Sequence, residues 1–174
     1  MIGKLTQLLA VAALGFTAGG AVAQDSESRV AANTAWSVFV EENPKECWSV
    51  SAPNKIVNTR GGKEVKAKRG EILLFVSFRP GDGGPGQVAF TGGYPFAKQG
   101  QVSLTIGSSE FTLFTEGEWA WTQSPEDDAA IIAAMKTGAT AVLVGQSTRG
   151  TRTEDSFSLL GFTAAVEDAS RRCQ

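Results

Sequence analysis

Two cysteines, Cys47 and Cys173, stand near opposite ends of the chain. Cys173 closes a C-terminal stretch whose pattern predicts an apolar strand, a glycine corner and a short amphipathic helix. In that helix Phe162, Val166 and Ala169 share one face with Cys173, because they recur at three- and four-residue spacings. We therefore predict that this apolar stripe packs on the body of the domain and that a Cys47–Cys173 disulfide fastens it there. Two unpaired thiols are the alternative.

The N-terminal residues have the features of a secretory signal peptide. Lys4 supplies the positive start, residues 5–16 are almost wholly apolar, and residues 21–23 have a small-x-small cleavage pattern. A membrane anchor is the alternative, but the apolar run is short for a span of about 20 residues. We predict a signal peptide over residues 1–23 and, after its cleavage, no transmembrane segment.

Removal of residues 1–23 leaves about 150 residues, the size of one ordinary domain. Residues 24–34 are small and polar, which predicts a flexible leader, and residues 35–174 then form a single domain. Export and a disulfide both favour a periplasmic or secreted location. The net charge of −2 offers no electrostatic basis for binding nucleic acid.

Short strands dominate the domain, with turn signals every 8–12 residues or so, which is an all-β pattern. Residues 72–78 form the most apolar run and predict a central strand buried on both faces. One interior helix begins at Pro125 after Ser124 as its N-cap, and the second helix is the C-terminal one. A two-sheet β-sandwich with these two short helices at its edges fits the pattern best.

The Trp36-Ser37-Val38 strand, the Cys47-Trp48 strand and the passage over residues 157–165 resemble the invasion-associated locus B family, exported proteins of Gram-negative bacteria. The resemblance implies an immunoglobulin-like β-sandwich and an envelope location, and it implies no catalytic residues. Many members carry a cysteine shortly after the first Trp-x-Val, where this chain has Phe39 and Val40. A second disulfide of that kind is therefore absent.

Aromatic residues provide the candidate ligand-binding site: Tyr94, Trp119 and Trp121. Glu116 and Glu118 stand beside the two tryptophans, as at the edge of a sugar-binding or glycosidase cleft. Strand alternation places Trp119 and Trp121 on one face, and we expect that face to fill the core in preference to lining a cleft.

Other candidate chemistry has simpler structural explanations. The chain contains no histidine, which excludes Ser-His-Asp and Cys-His catalysis. Asp127 and Asp128 are explained by the helix dipole better than by acid–base chemistry. The basic residues over 63–69 suit a solvated, lysine-guarded sheet edge, with an acidic partner as the alternative.

These observations predict an exported, non-catalytic interaction protein whose partner is an unidentified protein or envelope component. A periplasmic small-molecule or glycan-binding protein with an aromatic cleft is the alternative, and a carboxylate-only enzyme is a weaker third possibility. We expect no cofactor and no metal site. The sequence leaves the oligomeric state open.

Overall fold

The computed structural model describes residues 28–81 and 84–174 of the chain. The predicted signal peptide over residues 1–23 therefore lies outside the described residues. Within the described part, neither helix combines the length and the apolar composition needed to cross a bilayer.

The described residues form twelve antiparallel strands and two α-helices. The strands are β1 (Arg29–Asn33), β2 (Trp36–Glu42), β3 (Lys45–Ser51), β4 (Lys55–Arg60), β5 (Lys63–Glu64), β6 (Leu73–Phe78), β7 (Gln87–Thr91), β8 (Gln101–Ile106), β9 (Ser109–Glu116), β10 (Trp119–Trp121), β11 (Thr140–Gln146) and β12 (Arg152–Ser158). The helices are α1 (Pro125–Thr137) and α2 (Phe162–Arg172). Backbone hydrogen bonds join the strands into one continuous sheet in the order β1-β2-β3-β6-β7-β10-β9-β8-β11-β12-β4-β5.

This sheet folds over itself around a single hydrophobic core. The rings of Phe90 in β7 and Phe157 in β12 meet edge to face with their centroids 6.1 Å apart, although several strands separate β7 from β12 in the sheet. Trp36 in β2 donates a hydrogen bond from Nε1 to the carbonyl oxygen of Ser158 in β12 over 2.9 Å. The all-β sandwich is confirmed, and its two layers are two parts of one hydrogen-bonded sheet.

Strand β6 buries only one face, so the prediction that residues 72–78 are covered on both sides is wrong. Leu74 and Val76 are fully buried, whereas Phe75 and Ser77 on the other face are half-buried. β6 lies between β3 and β7 in the sheet, and Phe75 keeps part of its surface exposed on the side away from the core. The apolar residue Phe75 is therefore available at the surface.

The predicted flexible leader over residues 24–34 is wrong for its second half. Residues 29–33 form β1, which pairs with β2 from Asn33 opposite Trp36 to Arg29 opposite Phe39. The segment lacks the alternating apolar pattern of a strand, so its order comes from backbone hydrogen bonds to the edge of the sheet. Edge pairing of this kind leaves little signal in the sequence.

Helix α2 is held to the sheet by its apolar stripe and by the disulfide. The stripe residues are buried as predicted, and Phe162 packs against Trp36 with ring centroids 4.8 Å apart. The predicted disulfide is confirmed: it joins Cys47 in β3 to Cys173, with Cα atoms 5.7 Å apart. Gly161 makes the corner before α2 with φ 88°, and a Cβ there would collide with the carbonyl oxygen of Asn33.

Candidate functional site

Trp119 and Trp121 lie on the outer face of β10. Ala120 between them is fully buried, whereas 38% of Trp119 is exposed. Their rings are stacked, with centroids 5.5 Å apart and an interplanar angle of 26°. The expectation that these tryptophans fill the core is wrong, because it is the small residue of the Trp-Ala-Trp triplet that faces inward.

Three further aromatic side chains occupy the same outer face. Phe75 in β6 packs against Trp119 with ring centroids 5.6 Å apart. Phe39 in β2 and Trp48 in β3 stack with an interplanar angle of only 4° and centroids 5.5 Å apart. A cavity of about 210 Å³ lies on this face, and we call it the aromatic groove; it is lined by Glu41, Glu46, Trp48, Phe75, Ser77, Arg79, Ala89, Trp119 and Trp121.

Strand pairing explains why this surface is concave. Trp48 stands opposite Ser77, and Trp121 stands opposite Ala89, so each ring has a small side chain beside it on the neighbouring strand. Phe75 of β6 stands on the other side of Ala89. β3 and β10 are separated by three strand spacings in the sheet, or about 14 Å at roughly 4.8 Å per spacing. Aromatic side chains of β3 and β10 thus stand on both sides of a floor formed by Phe75, Ser77 and Ala89.

Charged side chains form one rim of the aromatic groove. Glu41 and Glu46 stand opposite each other across the β2–β3 pair, and Arg79 makes an ion pair of 2.7 Å with Glu46. The Arg79 side chain is half exposed. Glu116 and Glu118, suggested by the sequence, do not line this groove; the carboxylates near the tryptophans come instead from β2 and β3.

Tyr94, the third candidate ligand-binding residue, lies apart from the tryptophans. It is buried, its hydroxyl is 2.5 Å from the hydroxyl of Thr153, and the guanidinium of Arg69 lies 5.0 Å from its ring centroid. Burial raises the pKa of the Tyr94 phenol above its ordinary value, although the hydrogen bond with Thr153 opposes this. Tyr94 does not line the aromatic groove, so the structure does not bring the three predicted residues together.

The sequence predicts a solvated basic edge over residues 63–69, and this prediction is wrong for Arg69. Its side chain is almost fully buried and holds Asp155 through two hydrogen bonds, 2.7 Å from Nη1 to Oδ1 and 2.6 Å from Nη2 to Oδ2. Arg69 Nε also donates to the carbonyl oxygen of Gly92 over 2.8 Å. Burial raises the pKa of Asp155, and the Arg69 guanidinium opposes that rise. The pair is a structural link between a loop and β12.

A family model described as "Invasion associated locus B (IalB) protein" matches residues 36–170 of the chain. The chain belongs to the IalB family. A crystal structure of invasion associated protein B from Bartonella henselae superposes on it with a TM-score of 0.56 and 16% sequence identity, covering 82% of this chain and 96% of the other. At that identity the likeness shows the fold alone. A search of curated proteins found no match.

One part of the family motif in this chain serves the fold. The passage over residues 157–165, one of the three segments that carried the resemblance, forms the end of β12, the Gly161 corner and the first turn of α2. None of these residues lines the aromatic groove. Phe39 stacks on Trp48, which does line the groove. The groove residues lie within the matched span of residues 36–170, but the passage over residues 157–165 does not contribute to them.

Asp127 and Asp128 have separate structural roles in this IalB-family chain. The backbone N–H of Asp127 donates to Ser124 Oγ over 3.2 Å, which caps α1 as the sequence predicts. Asp128 is buried, and its Oδ1 accepts hydrogen bonds of 2.7 Å from the Val88 backbone N–H and from the Thr122 hydroxyl. Sequence reasoning missed this link between α1 and β7. Among the described residues, no three Cys, Asp and Glu side chains cluster closely enough to hold a metal ion.

Replacing Asp128 tests the link between α1 and β7. Asp128→Ala is expected to lower the free energy of unfolding by about 2–3 kcal/mol, because the buried Val88 N–H and Thr122 hydroxyl lose their acceptor. Asp128→Asn keeps an oxygen at Oδ1 and should lose less than half as much. Urea denaturation followed by circular dichroism measures both changes, and equal losses in the two variants would contradict the assigned role.

The same carboxyl predicts a pH dependence. Burial raises the pKa of Asp128 above 3.8 in the folded protein, although the hydrogen bonds from Val88 and Thr122 oppose this. The unfolded chain therefore releases this proton first, so the contribution of Asp128 to stability falls as pH rises from about 4 through the folded-state pKa. Asp128→Asn should remove this component from a series of urea denaturations across that window, and an unchanged pH profile would contradict it.

Proposed function

We propose that this IalB-family chain is an exported, non-catalytic binding protein of the cell envelope and that its aromatic groove binds a neutral saccharide chain. Export is supported by the signal-like residues 1–23 and by the Cys47–Cys173 disulfide, which is consistent with an oxidising compartment. The observation that carries the proposal is the aromatic groove itself.

The chemistry of the groove matches a sugar better than a wholly apolar ligand. A pyranose ring presents a flat face of C–H groups, and that face stacks on rings such as Trp48 and Trp121. Its hydroxyl groups need directed polar partners, which Glu41 and Arg79 supply on the rim. Aromatic walls combined with charged rim groups therefore support a saccharide as the occupant.

The arrangement of the carboxylates supports binding without hydrolysis. Glycosidases place two carboxyl groups on opposite sides of the scissile bond. Here Glu41 and Glu46 stand side by side on one edge of the groove, and Glu46 is ion-paired with Arg79. A sugar held between Trp48 and Trp121 would have both carboxylates on one side.

Removing the aromatic walls tests the proposal. Trp48→Ala and Trp121→Ala are each expected to weaken binding of a neutral tetrasaccharide by about tenfold or more, because large aromatic anchors carry most of the binding free energy at such sites. Isothermal titration calorimetry with cello-, chito- and malto-tetraose measures the affinities. Leu160→Ala is the matched control, since Leu160 is 66% exposed and lies outside the groove.

The proposal is wrong if none of the three tetrasaccharides binds the wild-type protein. It is equally wrong if one binds and both tryptophan variants keep its full affinity. Circular dichroism of each variant checks that the fold is retained. Both tryptophans are partly exposed, so their truncation should leave the core unchanged.

A further inference from the structure

A second concave surface lies beside Tyr94 and Arg69. It has a volume of about 380 Å³, and we call it the cationic groove; it is lined by Asn58, Arg60, Val65, Lys66, Ala67, Lys68, Arg69, Gly93, Tyr94, Pro95, Glu118, Ser147, Thr148, Arg149, Thr151 and Thr153. Its volume lies within the range of roughly 300–1,000 Å³ typical of small-molecule sites. It is larger than the aromatic groove and separate from it.

Positive charge is concentrated in the cationic groove. Among the described residues, no carboxylate lies within ion-pair distance of Arg60, Lys66, Lys68 or Arg149. Arg69 is neutralised by Asp155, and Glu118 is the one acidic residue of the lining. Four cations that no described carboxylate pairs with thus share one concavity on a chain whose net charge is −2.

Two sets of contacts hold side chains that line the groove. Arg60 Nη2 donates to the hydroxyl of Thr151 over 2.6 Å, and the Thr151 backbone N–H donates to Ser147 Oγ over 3.2 Å. Arg69 is fixed by Asp155 and lies against the ring of Tyr94. The guanidinium of Arg60 is therefore oriented before any ligand arrives, which reduces the entropy lost on binding.

Protection of a sheet edge does not account for this arrangement. β5 is one of the two edge strands of the described sheet, so lysines near it prevent pairing with another chain. That explains Lys63 in β5 itself. It does not explain why Lys66 and Lys68, which follow β5, meet Arg60 from β4 and Arg149 from the turn before β12 around one cavity.

We propose that the cationic groove binds a soluble ligand that carries phosphate groups. Phosphate oxygens accept several charge-assisted hydrogen bonds at once, and guanidinium groups match them with two parallel donors. Hydroxyl groups of Thr148 and Thr151 at the groove add further polar contacts for the rest of the ligand. This site is independent of the saccharide proposed for the aromatic groove, so either proposal can fail without the other.

Inorganic pyrophosphate is the probe that tests the site. Titration calorimetry should detect binding to the wild-type protein that weakens as ionic strength rises. The double variant Lys66→Gln/Lys68→Gln and the single variant Arg149→Gln should each lose about tenfold in affinity or more, as expected for losing charge-assisted contacts. Lys45→Gln/Lys55→Gln is the matched control, because it removes the same charge as the first variant from strands outside the groove and should keep wild-type affinity.

Three results would overturn the proposal. The first is no pyrophosphate binding by the wild-type protein. The second is an equal loss of affinity in the Lys45→Gln/Lys55→Gln control, which would show that the net charge of the protein, and not the groove, determines pyrophosphate affinity. The third is binding to vesicles that contain phosphatidylglycerol without any binding of pyrophosphate. Co-sedimentation measures this, with phosphatidylcholine vesicles as the control. That result would mean that the basic residues bind an anionic membrane surface instead of a soluble ligand. The substituted residues Lys66, Lys68 and Arg149 are exposed, so we expect the variants to keep the wild-type fold. Thermal melts of each variant check this.

Discussion

Replacing Cys47 and Cys173 together with alanine is expected to lower the free energy of unfolding by about 4–5 kcal/mol. The disulfide closes a loop with a sequence separation of 126 residues, and so long a loop strongly restricts the unfolded chain. Small domains have only about 5–15 kcal/mol of total stability, so the variant should unfold at a much lower denaturant concentration. Urea denaturation followed by tryptophan fluorescence measures the change.

Reduction of the wild-type protein provides the internal control. The reduced wild type and the double alanine variant should unfold at similar urea concentrations, because both lack the covalent link. Helix α2 should loosen first, since without the covalent link its stripe is held to the sheet by apolar packing alone. An unchanged midpoint after complete reduction would contradict the assigned role of the disulfide.

Arg69→Met is expected to lower the free energy of unfolding by about 3–5 kcal/mol, because it leaves the carboxylate of Asp155 buried without its partner. The side chains of Arg69 and Asp155 are 5% and 0% exposed, so solvent cannot replace the lost contacts. The double variant Arg69→Met/Asp155→Leu should recover much of the loss, since an apolar pair leaves no uncompensated charge. Urea denaturation of the single and double variants measures the coupling.

The loss in Arg69→Met should also depend on pH. Burial already raises the pKa of Asp155 in the wild type, and removal of the opposing Arg69 guanidinium raises it further. The folded variant then holds a proton that the unfolded chain releases near pH 4, so its stability should fall as pH rises from there. At lower pH, Asp155 is neutral in both the folded and the unfolded variant. There the difference in free energy of unfolding between the variant and the wild type should become smaller. A pH-independent loss, or a double variant less stable than either single one, would contradict this account.

Local sequence patterns predicted the elements whose signals are contained in one segment. The apolar stripe of α2 follows helical spacing, and α1 begins at a Ser-Pro cap. The two cysteines of the chain allow one intramolecular disulfide. Each of these depends on chemistry within a few residues or on simple pairing. The structure agrees with all three.

The predictions that were wrong concern residues whose burial depends on contacts with segments far away in the sequence. Alternation established that Trp119 and Trp121 share a face, but it does not say which face of β10 points inward. Arg69 follows basic residues at alternate positions, and its partner Asp155 lies 86 residues away. Burial of such a cation requires knowledge of tertiary pairing that no local pattern contains.

The aromatic groove had a partial signal in the sequence. Phe39 and Glu41, Glu46 and Trp48, Phe75 and Ser77, and Trp119 and Trp121 each recur at a spacing of two, so each pair lies on one strand face. Joining these pairs into one surface requires the strand order β2-β3-β6-β7-β10. That order is a property of the whole folded sheet.

The central claim, that the aromatic groove is the binding site, is tested most directly by the indole N–H signals in a ¹H–¹⁵N NMR spectrum. The chain has four tryptophans, and Trp36 is buried in the core with its Nε1 bonded to Ser158. Addition of the tetrasaccharide that binds most tightly should shift the signals of Trp48, Trp119 and Trp121 and leave that of Trp36 in place. Binding that leaves all three groove signals unmoved would contradict the claim.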